Sequence, residues 1–273
     1  MSGKVGFVEG EHRPAIIEGP LTALSWLTIL PVQGATAFDR ITGGRVLASV
    51  PLIGILLGVL GAGLAGLGFL FQITPFLTAV VIVCFWELFT RFMHLDGLAD
   101  VADALGSYAP PERAREIIAD PTTGLIGMGS VFISLTLQIA SFDALISRGY
   151  WWMIFFAPVI GRLCSIFSAH STLKPMRPTG FGAMMIGTVP TTTIAIWLSI
   201  VSTASVGIPL LIGASTVAII VITSLLLSIG IAVLGIRHCN RRFEGMNGDT
   251  IGFIMHSCTA ASAVFLAVGV CVL

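Results

Sequence analysis

The chain has 273 residues, 55% of them hydrophobic and 10% charged, and its formal net charge is zero. Soluble domains carry roughly 25% charged residues, so this composition excludes a water-soluble globule and indicates an integral membrane protein. The balanced charge gives no reason to expect a nucleic-acid partner, and the five cysteines (Cys84, Cys164, Cys239, Cys258, Cys271) form no C-x-x-C pair and read as apolar filler.

The first nineteen residues are polar, with Glu9, Glu11, His12, Arg13 and Glu18 and no apolar run of signal-peptide type. The N-terminus is therefore expected to stay on the cytoplasmic side. Residues 20–33 are apolar but shorter than the roughly 20 residues a span needs, which predicts an interfacial or re-entrant helix ending at Pro31. Residues 39–45 read as a polar connector. Residues 46–71 form the first span, whose Gly54, Gly58, Gly61, Gly63, Gly66 and Gly68 suit close helix packing better than a phosphate loop. The second span runs over 75–94.

A polar segment, 95–123, follows and contains the helix-like run Glu112 to Ile118. Spans three and four are expected at 124–146 and 150–170, the fourth opened by the interfacial aromatics Tyr150, Trp151 and Trp152. After a polar stretch over 171–190, spans five and six (191–206 and 210–235) are joined by Gly207-Ile208-Pro209. A basic loop, 236–249, precedes span seven, 250–273. The expected fold is all-α: one polytopic membrane bundle over 1–273, with about seven transmembrane helices and a short N-terminal interfacial or re-entrant helix. Alternating loops place twelve of the fourteen Lys and Arg on one side, with Arg148 and Arg162 the exceptions. The positive-inside rule makes that side cytoplasmic, so the N-terminus is in and the C-terminus out of a cytoplasmic (inner) membrane, and the site faces the cytoplasm.

The densest ionisable run is Arg91-Phe92-Met93-His94-Leu95-Asp96-Gly97-Leu98-Ala99-Asp100-Val101-Ala102-Asp103. Asp96, Asp100 and Asp103 stand at i, i+4 and i+7, one face of a helix. Carboxylates this close repel one another unless a cation joins them, and all-oxygen donors suit Mg²⁺, with Mn²⁺ the alternative. The ordinary explanation is a solvated acidic face. A position at the end of a membrane span beside His94 and Arg91 favours function instead.

Glu87, Arg91 and His94 form a second i, i+4, i+7 set on roughly the opposite face, at about 100° per residue. Both sets reach one site only if the helix breaks between them, with Gly97 the expected hinge. Otherwise Glu87 and Arg91 form a structural ion pair, the preferred reading for Glu87. Arg162, in mid-span, is expected to face the bundle interior against a carboxylate or a substrate phosphate. Asp143, near a span end, reads as interfacial. Asn247 and Asp249 enter span seven where a helix N-terminus favours anions or a metal; a plain N-cap is the alternative.

His94-Leu95-Asp96-Gly97-Leu98-Ala99-Asp100-x-x-Asp103 resembles the signature of the cobalamin synthase (adenosylcobinamide-GDP ribazoletransferase) family. In the same order as in that family come Trp26 to Val32, Pro51 to Gly58, Glu116 to Asp120 with Gly124 and Gly127, Arg162, Gly180-Phe181-Gly182 and Gly245 to Gly252, so the resemblance covers nearly the whole chain. The chain departs from the family pattern at Arg91-Phe92, where glycines are usual, at Ala104, at Ala119, where a basic residue is usual, at Pro121-Thr122, where Ser-Arg is usual, and at Glu244.

The resemblance implies a transferase for the last assembly step of cobalamin synthesis. α-Ribazole or its 5′-phosphate attacks adenosylcobinamide-GDP through its ribose 3′-hydroxyl, giving adenosylcobalamin or its 5′-phosphate and GMP. It implies Asp96, Asp100, Asp103 and Asp249 as Mg²⁺ ligands, His94 as a base, and Asp120, Arg162, Asn247 and Asp249 at substrate phosphates. The sequence leaves open a homo-oligomer or association with other corrinoid-assembly enzymes. A CDP-alcohol phosphotransferase is the nearest rival, but Ala99 is followed by no Arg and the downstream aspartate spacing fails. A cation transporter is opposed by the one-sided acidic cluster and by spans five and six, which carry no ionisable residue up to Leu234.

Overall fold

A computed structural model describes Val8 and residues 10–273; the rest of the polar 1–19 segment lies outside the described residues. Among the described residues eleven α-helices follow in order: α1 (Ala15–Leu27), α2 (Arg40–Leu70), α3 (Pro75–Phe89), α4 (Met93–Gly106), α5 (Pro111–Ile118), α6 (Leu125–Ser147), α7 (Phe156–Ile166), α8 (Phe181–Met185), α9 (Thr191–Leu211), α10 (Ser215–Phe243) and α11 (Gly248–Val272). Short 3-10 turns at Trp151–Phe155 and Phe167–Ala169 extend α7 into a 19-residue apolar rod. Among the described residues the only β pairing is isolated bridges such as His170 to Val189. Six rods are long and apolar enough to cross a bilayer, and the bent pair α3–α4 makes a seventh if counted as one. The protein is a multi-pass membrane helix bundle, as its composition requires.

Several boundaries differ from the sequence reading. The connector at 39–45 is helical: Asp39 caps α2 by accepting from Thr42 N at 2.8 Å, so the helix starts at Arg40. α1 starts at Ala15, ahead of the expected apolar run, and ends at Leu27 rather than Pro31. Its Glu18 is buried beside α2, paired with Arg45 and with His12 Nδ1 at 3.2 Å. Gly207-Ile208-Pro209 is no link, because α9 continues to Leu211 and the turn is 212–214. The basic loop is largely helix: α10 runs to Phe243, carrying Arg237, Arg241 and Arg242 on its last turns, where cations offset the helix dipole. All five cysteines are free.

The main correction concerns span two. Proline at the first position opens α3, but the helix ends after 15 residues, at Phe89. Arg91 and Phe92 then take left-handed backbone, φ 57° and 56°. Two such residues in succession cannot continue a right-handed helix, and α4 leaves at 91° to α3. The hinge is therefore Arg91-Phe92, not Gly97, which lies inside α4. Arg91 is exposed and donates to the Trp26 carbonyl, so the expected Glu87–Arg91 ion pair does not form.

α4 runs across one end of the bundle, from the start of α11 to the start of α6. A Cβ on Gly97 would sit 2.8 Å from Asp249 O, and one on Gly252 2.8 Å from His94 O. Only hydrogen at both positions allows the two helices to cross this closely. At the far end, Asp103 accepts from Gly124 N at 2.6 Å and Gly127 N at 2.8 Å, capping α6. α4 is thus an amphipathic bar tied to two spans rather than a span itself.

Candidate functional site

The bar places its carboxylates at the polar end of the bundle. Asp96 is exposed and Asp100 half-buried, and among the described residues neither accepts a hydrogen bond or forms an ion pair. The close α4–α11 crossing adds Asp249 to them. Burial first, and then the charges of Asp96, Asp249 and Asp103, push the Asp100 carboxyl up to about 7. Asp249 takes its place through a capping box. Asn247 Oδ1 accepts from Thr250 N at 3.0 Å, Thr250 Oγ1 accepts from Asn247 N at 2.9 Å, and Asn247 Nδ2 donates to Asp249 Oδ2 at 2.6 Å. The N-cap alternative for Asn247 is therefore realised, and the cap also orients Asp249.

Two adjoining cavities meet at Asp249 and Phe181. One, of about 200 Å³, is walled by His94, Asp96, Gly248, Asp249 and apolar side chains of α2, α8 and α11. The other, of about 240 Å³, is lined by Arg115, Arg177, Thr179, Asn247 and Asp249 among others. Arg177 is exposed and in no ion pair among the described residues, whereas Arg115 is held by Glu244 at 2.7 Å. Trp26, Phe38 and Phe181 form an aromatic rim with ring centroids 5.4–6.1 Å apart.

The remaining sequence candidates lie elsewhere. Asp103 has both oxygens engaged by α6, which leaves Asp96, Asp100 and Asp249 as the open carboxylates. Asp120 is exposed and lines neither cavity; its carboxyl accepts from Thr122 N at 2.9 Å and Thr122 Oγ1 at 2.6 Å, bonds that hold it below the usual carboxylate range. Arg162 also lines neither cavity. It is buried in the bundle with Glu87 as the nearby opposite charge, the carboxylate of the two expected partners.

The donor set suits a divalent cation. Asp96, Asp100 and Asp249 repel one another, and among the described residues no basic side chain forms an ion pair with them. Among the described residues no three His, Cys, Asp or Glu side chains close into a ready-made cage. Mg²⁺ is commonly held in that way, by one or two carboxylates with waters and substrate phosphates completing its shell.

No spacing rule singles out Arg115, Arg177 or Phe181 as site residues: Arg115 belongs to the helix-like run 112–118, Arg177 to the polar stretch 171–190, and Phe181 to the Gly180-Phe181-Gly182 element. The buried partners Glu87 and His256 lie 169 positions apart, and no spacing rule joins them.

Residues 19–267 match the family model for cobalamin-5-phosphate synthase. A curated adenosylcobinamide-GDP ribazoletransferase of Corynebacterium diphtheriae is 63% identical over 270 residues, 99% of this chain and 98% of the relative. Its namesake in Corynebacterium efficiens is 48% identical over the same shares, and one from Frankia casuarinae is 31% identical over 90% of this chain and 93% of the relative. No solved structure matches the chain.

Proposed function

This chain belongs to the cobalamin-5-phosphate synthase family and carries out the last assembly step of cobalamin synthesis; we propose that it does so in the paired cavities between α4, α8 and α11. The step joins adenosylcobinamide-GDP to α-ribazole or its 5′-phosphate. The ribose 3′-oxygen forms a bond to the phosphorus that carries the corrinoid, the bond from that phosphorus to GMP breaks, and the hydroxyl proton leaves. The observation that carries this placement is the convergence of Asp96, Asp100 and Asp249 beside a cavity with two arginines.

Cavities of 200 and 240 Å³ are far too small for a corrinoid. They suit a pyrophosphate and the sugars next to it, while the corrinoid stays outside. Asp96, Asp100 and Asp249 would hold Mg²⁺. When bound, the cation draws charge from the pyrophosphate and eases departure of GMP. Arg177 and Arg115 bind the phosphate of the GMP portion, assisted by the N-terminus of α11. His94, on the cavity wall, accepts the proton of the incoming hydroxyl. Asp103 acts one step back, holding α4 against α6. The aromatic rim offers flat faces to a base.

The polar end that carries this site also carries most of the Lys and Arg, which supports a cytoplasmic orientation in the inner membrane. The test is GMP release by purified protein in detergent or vesicles. Asp96→Ala is expected to abolish it, a loss of at least about 100-fold, while the protein stays folded in the membrane. Turnover near wild type in that variant would take Asp96 out of the reaction.

A further inference from the structure

Four ionisable side chains from four helices meet inside the bundle. Glu87 of α3 is 5% exposed, His94 of α4 8%, Arg162 of α7 5% and His256 of α11 5%. His256 Nε2 stands 3.7 Å from Glu87 Oε2, longer than a hydrogen bond. Glu87 Oε2, His94 Nδ1, Arg162 Nε and His256 Nδ1 are all buried with no hydrogen-bond partner among the described residues. The Arg162 charge acts on each of the other three.

Stability does not account for this group. Buried polar atoms without partners are unfavourable, ionisable residues inside a membrane are costly to insert, and apolar residues of equal volume are commonly as stable as a buried ion pair. Polar atoms facing one another beyond hydrogen-bond distance are what a bridging water satisfies. His94 is the one member of the four on the wall of the acidic cavity. His94 is therefore the member through which this polar group borders the cavity.

We propose that Glu87, Arg162 and His256 are positioning residues that act through His94, and that with water held among their unpartnered atoms they fix its ring at the cavity wall. Glu87 and Arg162 compensate each other's charge, and His256 links Glu87 to α11, the helix that also supplies Asp249. The inference rests on the place given to His94 in the reaction above, and the test separates the two.

Glu87→Gln, His256→Gln and Arg162→Lys are each expected to lower kcat about 10- to 100-fold, as loss of a supporting partner does elsewhere, with KM for donor and acceptor within about twofold. Added to His94→Gln, each is expected to cause no further loss, because the ring through which it acts is gone. Losses that multiply in the double variants would overturn the proposal.

A second readout does not depend on turnover. In protein labelled with ¹⁵N-histidine, the His94 ring signals, assigned by their absence in His94→Gln, are expected to shift in Glu87→Gln and Arg162→Lys at unchanged thermal unfolding. Unshifted ring signals would also overturn the proposal, including where His94→Gln has no measurable turnover. Shifted ring signals with normal turnover in His94→Gln would keep the network and remove His94 from the chemistry.

Discussion

Asp100 is where the charges of the acidic cluster add up. Burial and three neighbouring carboxylates push it up to about 7, so near neutrality a proton and a cation compete for it. The sign follows from linkage. A carboxyl whose pKa is raised on folding binds protons more tightly in the folded state, so the cation-free protein loses stability as pH rises from about 4 to about 7. A divalent cation binds the ionised form, and its affinity rises over the upper part of that window. Mg²⁺ is therefore expected to raise the unfolding temperature of the detergent-solubilised protein more at pH 8 than at pH 6, measured by differential scanning fluorimetry. A larger effect at pH 6 would place the cation away from Asp100. At this scale the sequence was informative where position follows spacing: Asp96 and Asp100 share a helix face, and Asp96 lines one of the two cavities. Tertiary contact decided the rest. Asp249, expected in the metal set, reaches the cluster because Gly97 and Gly252 let two helices touch, whereas Asp103, expected there too, turns away because the start of α6 needs a cap.

The elbow between α3 and α4 is the element that makes the site. Left-handed backbone costs a residue with a side chain about 1–2 kcal/mol, and here two such residues follow each other. Glycine would adopt this turn freely, so this chain holds it with strain. Phe92 is 47% exposed, so its side chain contributes little burial. Phe92→Gly is expected to be more stable than Phe92→Ala by about 1 kcal/mol in chemical or thermal unfolding, since both remove the ring and only glycine relieves the strain. Equal stabilities would place the left-handed turn elsewhere. Hydropathy revealed most of the rods, because a membrane span announces itself by length and apolarity. Their ends were less legible. Arg40 to Arg45 and Arg237 to Phe243 are helical although largely polar, since a helix can extend past the apolar layer; at about 1.5 Å per residue the 29 residues of α10 exceed a hydrocarbon core of about 30 Å. Span two failed in the opposite direction: residues 90–92 looked like its continuation, and only backbone geometry reveals the turn.

Among the described residues, the polar end gathers the start of α1, α4, α5, the 171–190 segment and the arginines of α10, and the opposite end has only the short links 71–74, 148–150 and 212–214 and the end of α11. A reporter fused after Leu273 is expected to be active only when it reads the extracytoplasmic side, and activity of a cytoplasm-only reporter there would invert the topology. The shortness of α3 has a consequence for ion supply. Its 15 residues rise about 22 Å, less than the roughly 30 Å of hydrocarbon, so α4 and its aspartates are drawn in toward the lipid headgroups rather than standing out in bulk water. A leaflet rich in anionic lipid holds a surface potential of about −30 mV, which concentrates a divalent cation roughly tenfold in that layer. The bilayer then acts as a reservoir for the same ion that the aspartates would bind.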